Sequence, residues 1–166
     1  HFSLSVNRQA QAYTLEMTEA ELATTGAKMT YHFSRFHYPG VYFQAGFDQW
    51  NNDNTQWNTF LSLYTFVTRR PVVKTGFNIS AMGFRNNMDQ LYFSPSIYTS
   101  GEAFLQIEKN DPNKKWFYFL EGAYGMQKIE EQSPQSTMRA RAQLGYRFTR
   151  SLSIRIEGFY NTSATT

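Results

Sequence analysis

Apolar and polar residues alternate with a period of two along most of the chain. The pattern is clearest at residues 138–148, where Met138, Leu144 and Tyr146 are among the apolar even positions and Arg139 and Arg141 are among the polar odd ones. A β-strand directs successive side chains to opposite faces, so each such segment has one apolar and one polar face. This rule predicts about nine strands, at residues 2–11, 21–35, 40–50, 56–69, 72–85, 96–109, 115–130, 137–148 and 151–161.

The predicted connections differ in length in a regular way. Those at 36–39, 70–71 and 149–151 are short, whereas those at 51–55, 86–95 and 131–136 are mostly longer and rich in polar residues and Pro. A meander with short turns at one end and longer loops at the other is typical of outer-membrane barrels. Most predicted strands also reach the ~9–11 residues that cross a membrane. We therefore predict one all-β domain over residues 1–166, an antiparallel up-and-down meander that forms a transmembrane outer-membrane β-barrel.

The barrel prediction also depends on closure of the sheet and on the residues that its two faces carry. A sheet in lipid must close, because an open edge leaves backbone N–H and C=O groups without partners. Nine is an odd number of strands for a bacterial single-chain barrel, so we expect at least one closing strand in addition to the nine. The alternative is a soluble antiparallel sandwich or barrel, in which the apolar faces meet and the polar faces contact water. Aromatic residues near the strand ends favour the barrel, as an interfacial girdle would: Tyr38, Trp50, Trp57, Tyr92, Phe93 and Trp116. The segment 56–69 is ambiguous, because its two faces carry Phe60, Tyr64 and Phe66 against Leu61, Leu63 and Val67.

Composition excludes several classes of function. The 166 residues include no Cys, which excludes disulfides, thiol catalysis and Cys-ligated metals. The net charge is only +3 and the charges are interspersed, so we expect no nucleic-acid partner. His1, His32 and His37 have no metal-ligand spacing, and nothing nominates a Ser nucleophile beside them. Arginine-rich surroundings suit the strand carboxylates to ion pairing rather than to acid catalysis. We expect no enzymatic activity, no metal and no cofactor.

The charged residues on the polar faces form the candidate site. In a barrel they would line the lumen, and they are Lys74, Glu102, Glu108, Glu121, Arg139, Arg141, Arg147, Arg155 and Glu157, with His32 on the same face. A three-residue turn between the last two strands would place Glu157 opposite Gln143 and diagonal to Arg141. In a barrel of about ten strands these residues would fill the lumen with ion pairs, and in a wider one they would line a water-filled path. The pattern leaves both arrangements open.

A series of short motifs resembles a known family. The chain reads Tyr-Phe-Ser-Pro at 92–95, preceded by Arg-Pro at 70–71 and Lys-Thr-Gly-Phe at 74–77, and followed by Ala-Tyr-Gly-Met-Gln at 123–127 and Leu-Gly-Tyr-Arg-Phe at 144–148. This order resembles the C-terminal outer-membrane β-barrel of tetratricopeptide-repeat exopolysaccharide secretion proteins, such as the C component of cellulose synthase and the poly-N-acetylglucosamine porins. The resemblance spans roughly residues 45–160. Barrels of that type have more strands than the pattern here predicts, and this chain has no helical-repeat pattern.

The resemblance implies a location and a function. The location is the bacterial outer membrane, and the function is a pore or barrel segment for export of a polysaccharide or other envelope polymer. Outer-membrane lipid, a polysaccharide chain and periplasmic or envelope proteins are the candidate partners. In the 92–95 loop, Tyr92 and Phe93 could stack on a sugar ring beside Ser94 and Pro95, or the loop could plug the barrel mouth. The alternatives are a structural or adhesive outer-membrane barrel with a filled lumen, and a soluble β-rich binding domain.

Overall fold

The chain folds into a single antiparallel sheet. A computed structural model describes residues 1–10, 21–36, 38–88, 92–149 and 152–162. The strands are β1 (Phe2–Ala10), β2 (Ala23–Phe33), β3 (Gly40–Trp50), β4 (Thr55–Arg69), β5 (Val72–Phe84), β6 (Tyr98–Lys109), β7 (Trp116–Ile129), β8 (Gln135–Arg147) and β9 (Ser153–Asn161). They form one 9-stranded sheet in sequence order, each strand antiparallel to the next. The predicted all-β antiparallel meander is confirmed.

The sheet is open at both edges. Among the described residues, β1 pairs only with β2, and β9 pairs only with β8. Each edge therefore presents a row of backbone groups that only another strand or water can satisfy. Closure of the sheet into a barrel stays a prediction.

Strand bounds differ from the predicted ones by a few residues. Strand β8 begins at Gln135 instead of residue 137, because Gln135 and Ser136 pair with Gln127 and Met126 of β7. The connection before it is correspondingly shorter than predicted. Residue 11 of the first predicted strand, residues 89–91 of the connection 86–95 and residues 150–151 before the last strand lie outside the described residues.

Successive connections lie alternately at two opposite ends of the sheet, which we call the loop end and the turn end. The turn end carries the connections β2–β3, β4–β5, β6–β7 and β8–β9, and it includes the tight turn with a cis peptide bond at Arg70-Pro71. The loop end carries the other connections, and the one between β5 and β6 is long, as predicted. The connections at 51–54 and 130–134 are no longer than the turn-end connection at 34–39, so the predicted division into short turns and longer loops is wrong for these two. Every strand therefore runs between the turn end and the loop end.

The two faces of the sheet differ in chemistry as the alternation predicts. Residues of β2 to β9 line one cleft of about 520 Å³ on the polar face, so the sheet curves with its polar side inside. On the convex face, the mid-strand residues Phe77, Ile79 and Leu105 are 64%, 53% and 48% exposed. Among the described residues, no second layer covers this apolar face.

The buried core is small and divided in two. One cluster at the loop end contains Leu22, Trp50, Phe84 and Tyr92, with Met88 packed against it. The other lies on the concave face and contains Tyr64, Phe104 and Ala123. The described residues contain no helix that is long and apolar enough to cross a membrane.

Candidate functional site on the concave face

An ion network crosses the concave face between β5 and β8. The guanidinium of Arg139 donates to Glu102 Oε1 at 2.5 Å and lies 2.8 Å from Glu121 Oε1. Glu102 Oε1 also accepts a hydrogen bond of 2.8 Å from Asn78 Nδ2. The side chains of Arg139, Glu102 and Glu121 are 31%, 21% and 14% exposed, so this network is mostly shielded from water. It links four neighbouring strands through charge-assisted bonds, which are stronger than neutral ones.

A second ion pair joins β8 to the edge strand. Glu157 lies directly opposite Gln143, and Arg141 Nε donates to Glu157 Oε1 at 2.7 Å from the diagonal position. The predicted pairing of these three residues is confirmed. Arg141 also lies over the ring of Phe119, 5.4 Å from its centroid.

The other residues predicted to line the lumen lie on the same concave face but form different contacts. Arg147 donates to the carbonyl oxygens of Asp111 and Lys114, each at 3.0 Å, and to Asn110 Oδ1. It therefore anchors the β6–β7 turn. Arg155 on β9 is opposite Gly145 on β8, and Glu108 on β6 is opposite Phe119 on β7 near the turn end. Neither contributes to the central cleft, which Lys74, Glu102, Glu121 and Arg139 line.

Lys74 lies beside two aromatic rings. Its Nζ lies 5.0 Å from the ring centroid of Tyr64 and 5.5 Å from that of Phe104. A cation over an aromatic face is attracted by the ring quadrupole, most strongly where water is partly excluded. These contacts fix the Lys74 ammonium on the wall of the cleft.

Tyr64 is the central aromatic residue of the cleft. Its hydroxyl is 2.8 Å from His32 Nε2, and its ring packs edge-on to Phe66. The ring fits because Gly40 lies opposite it on β3, where any Cβ would overlap the ring. The sequence pattern did not predict which face of 56–69 carries Tyr64, because both faces are apolar or aromatic. The pairing of Tyr64 with Gly40 on β3 shows that the Tyr64 side is the concave one.

Nearer the loop end, the concave face is rich in amides. A second cleft of about 330 Å³ is lined by residues of β1 to β4, including Gln44, Asp48, Gln56 and Asn58. The alternation rule places these residues on the polar face. They were not among the predicted site residues because those were chosen for their charge, and most of these residues are uncharged. Amide and carboxylate groups of this kind hydrogen-bond hydroxyl groups well.

The 92–95 loop is packed against the sheet. The Tyr92 ring stacks on Trp50 with centroids 4.4 Å apart and planes 6° from parallel. Ser94 Oγ accepts a 2.5 Å bond from the backbone N–H of Met88, and Ser94 and Pro95 are buried. Of the four candidate residues only Phe93 is exposed, at 41%. The geometry is that of a self-packed loop, and ligand binding by its residues stays a prediction.

A buried asparagine holds the loop end together. Asn54 is 0% exposed, and its Nδ2 donates to the Asn86 carbonyl at 2.8 Å and to the Tyr92 hydroxyl at 2.9 Å. Its Oδ1 accepts from the backbone N–H groups of Thr55 and Asn86, both at 2.9 Å. The amide thus uses its full bonding capacity. No sequence signal marked this residue, since Asn in a loop is ordinary turn chemistry.

The concave face offers several kinds of binding group. Among the described residues, no three His, Asp or Glu side chains are grouped so as to hold a metal ion. The concave face instead combines amides, hydroxyls, aromatic rings and paired charges along one continuous wall.

Comparison with known proteins agrees with this architecture. Residues 21–153 match the family described as the cellulose synthase operon protein C C-terminus. The chain belongs to this family. The match spans β2 to β8 and the start of β9, and therefore includes most of both clefts and the Arg139 network. No curated protein and no solved structure matches the chain.

Proposed function

We propose that this chain forms part of the wall of a bacterial outer-membrane barrel that exports a polysaccharide. The observation that carries the proposal is the division of one sheet into a largely apolar convex face and a polar concave face with an ion network. Membership of the cellulose synthase operon protein C family supports the same function. Membrane insertion would require the free edges of β1 and β9 to pair with further strands, whatever their source.

The convex face has the composition that lipid requires. Among the described residues, the outward positions of β2, β3, β5, β8 and β9 carry no charged side chain. The outward tryptophan residues lie towards the two ends, with Trp57 at the loop end and Trp116 at the turn end. A strand of this length, tilted as barrel strands are, spans an apolar band of about 25 Å.

The concave face suits a hydrated chain rich in hydroxyl groups. Gln44, Gln56 and Asn58 offer amide donors and acceptors, while Tyr42 and Phe60 offer ring faces in the neighbouring cleft. The charges of the later strands are engaged with one another at Arg139 and Arg141. We therefore assign the polymer path to the amide and aromatic wall of β2 to β5, and a structural role to the ion pairs.

Fractionation and gel mobility test the membrane location. The protein as its gene encodes it should be found in the outer-membrane fraction and should change its mobility in SDS only after boiling. Ile79→Lys, at the middle of the convex face of β5, should cost about 2–4 kcal/mol in lipid and reduce the unboiled folded band. The adjacent concave-face variant Ser80→Lys is the matched control and should keep that band. A soluble protein without a boiling-dependent shift would refute the proposal.

Conductance in planar bilayers separates export from a structural role. An open path predicts ion-conducting channels, whereas a barrel filled by its ion pairs predicts none. The paired state of Arg139 and Arg141 favours the filled lumen as the second candidate function. Absence of conductance from a correctly inserted protein would eliminate the pore and leave that candidate.

A further inference from the structure

The turn end carries a concentration of exposed cations. Arg35 lies in the β2–β3 turn, Arg70 in the β4–β5 turn, and Lys109, Lys114 and Lys115 at the β6–β7 turn, and all are exposed. Within the part of the chain that the structure describes, the ion pairs involve none of these five side chains. We call these five residues the basic collar.

The acidic residues do not balance the collar. Glu108 and Asp111, the acidic residues described at this end, are only partly exposed. At the loop end the exposed charges are of both signs: Glu21, Asp53 and Glu131 against Arg85 and Lys128. The two ends of the sheet therefore differ in sign, and the turn end is the positive one.

Outward-facing aromatic residues accompany these cations. Trp116, Tyr146 and Phe148 form a ladder of edge-to-face rings, with centroids 4.8 Å and 4.9 Å apart. The Lys115 ammonium lies over the Tyr146 ring, 6.0 Å from its centroid. Trp116 and Phe148 are 57% and 58% exposed on the apolar side. Amphipathic rings with lysines beside them are the chemistry of the headgroup layer of a membrane.

We infer that the basic collar binds the phosphate groups of anionic glycerophospholipids in the leaflet that the turn end faces. The inference rests on the proposed membrane location. The cations follow the perimeter through successive turns, immediately beyond the apolar convex face, which is where headgroups would lie. The exposed rings of Trp116 and Phe148 beside these cations favour a membrane over a soluble acidic protein. Clustered Lys and Arg beside a membrane attract anionic lipid, and the attraction decays within a Debye length.

Lipid selectivity is the test. The protein is purified from membranes in mild detergent and transferred to phosphatidylcholine bilayers that contain a spin-labelled phosphatidylglycerol or phosphatidylcholine probe. The unaltered protein should associate with the phosphatidylglycerol probe about threefold more strongly at 20 mM NaCl, and the preference should approach one at 0.5 M NaCl. The variant in which all five collar residues are Gln should show little preference at either salt concentration.

Two further variants serve as controls for the assignment of lipid binding to the basic collar. Arg85→Gln combined with Lys128→Gln removes cations from the loop end and should keep the full preference. Replacing Lys109, Lys114 and Lys115 by Arg keeps the charge and should also keep it. Equal loss in the loop-end variant, or a preference that salt does not weaken, would overturn the collar assignment even if the five-site variant fails to fold.

Failure of this inference is distinguishable from failure of the proposed function. A protein that inserts, shows the boiling-dependent shift and has no preference for phosphatidylglycerol refutes the collar alone. A protein that never enters the bilayer refutes the membrane location, and the collar with it.

Discussion

Removal of the Arg139 side chain tests whether the concave ion network stabilises the sheet. Arg139→Met keeps an unbranched chain of similar length but removes the guanidinium that bridges Glu102 and Glu121. Both carboxylates would then face the cleft without their cation, although Glu102 would still accept from Asn78. The variant therefore loses two charge-assisted bonds and leaves two neighbouring like charges.

The expected cost follows from the burial of these groups. Breaking a fully buried pair costs about 3–5 kcal/mol, mainly because one charge stays buried and unpaired. Here the side chains of Glu102, Glu121 and Arg139 are 21%, 14% and 31% exposed, so water screens part of the interaction. We expect Arg139→Met to lower the free energy of unfolding by about 2–3 kcal/mol. Adding Glu121→Gln to Arg139→Met should restore about 1 kcal/mol, because it removes an unpaired charge.

Urea titration of the protein in detergent micelles measures these values, with the folded fraction read from gel mobility without boiling. Arg155→Met on the edge strand β9 is the matched control and should lower the midpoint far less, since Arg155 is exposed, forms no ion pair within the described residues and hydrogen-bonds only the neutral Gln143 amide. The reasoning is refuted if Arg139→Met is as stable as the unaltered protein. It is also refuted if the double variant is less stable than Arg139→Met alone.

Three further perturbations test other parts of the molecule. Asn54→Ala should destabilise the loop end by about 2–3 kcal/mol, because it leaves buried hydrogen-bonding partners unpaired. Protease cleavage in the β5–β6 connection should therefore become faster, and an unchanged cleavage rate would contradict this prediction. Gly40→Val should displace the Tyr64 ring and cost about 1–3 kcal/mol by overpacking, whereas Gly158→Ala, in open space on β9, should be neutral in the same urea titration. Arg141→Leu should reduce stability if the lumen is filled, but should change ion selectivity with little loss of stability if the lumen is open, so stability and reversal potential are measured on the same preparation.

The fold followed from the sequence because each strand has two chemically different faces. Residues 138–148 alternate without exception, and β8 occupies nearly the same residues. Strand order also followed, since consecutive strands joined by short connections pair as antiparallel neighbours. Exact strand ends were less predictable because they depend on pairing with a neighbour, as at Gln135.

The candidate site was predicted in part, and the register explains the rest. The diagonal contact between Arg141 and Glu157 could be placed because a short turn fixes the pairing of β8 and β9. By contrast, Glu121 lies directly opposite Arg141, yet its ion pair is with Arg139. Diagonal partners are within reach of long side chains, so strand register alone does not decide between them. The partner of each charge therefore required side-chain geometry.

The open edges connect the fold to the proposed function. A sheet whose convex face is apolar is poorly hydrated in water, and its unpaired edge groups on β1 and β9 are costly in lipid. If the protein inserts into a membrane as proposed, pairing of both edges should accompany insertion, because the nine described strands alone suit neither water nor lipid. The number of strands that completes the ring sets the width of the lumen. That width decides whether the Arg139 network fills the interior or leaves the amide wall accessible to a passing polymer.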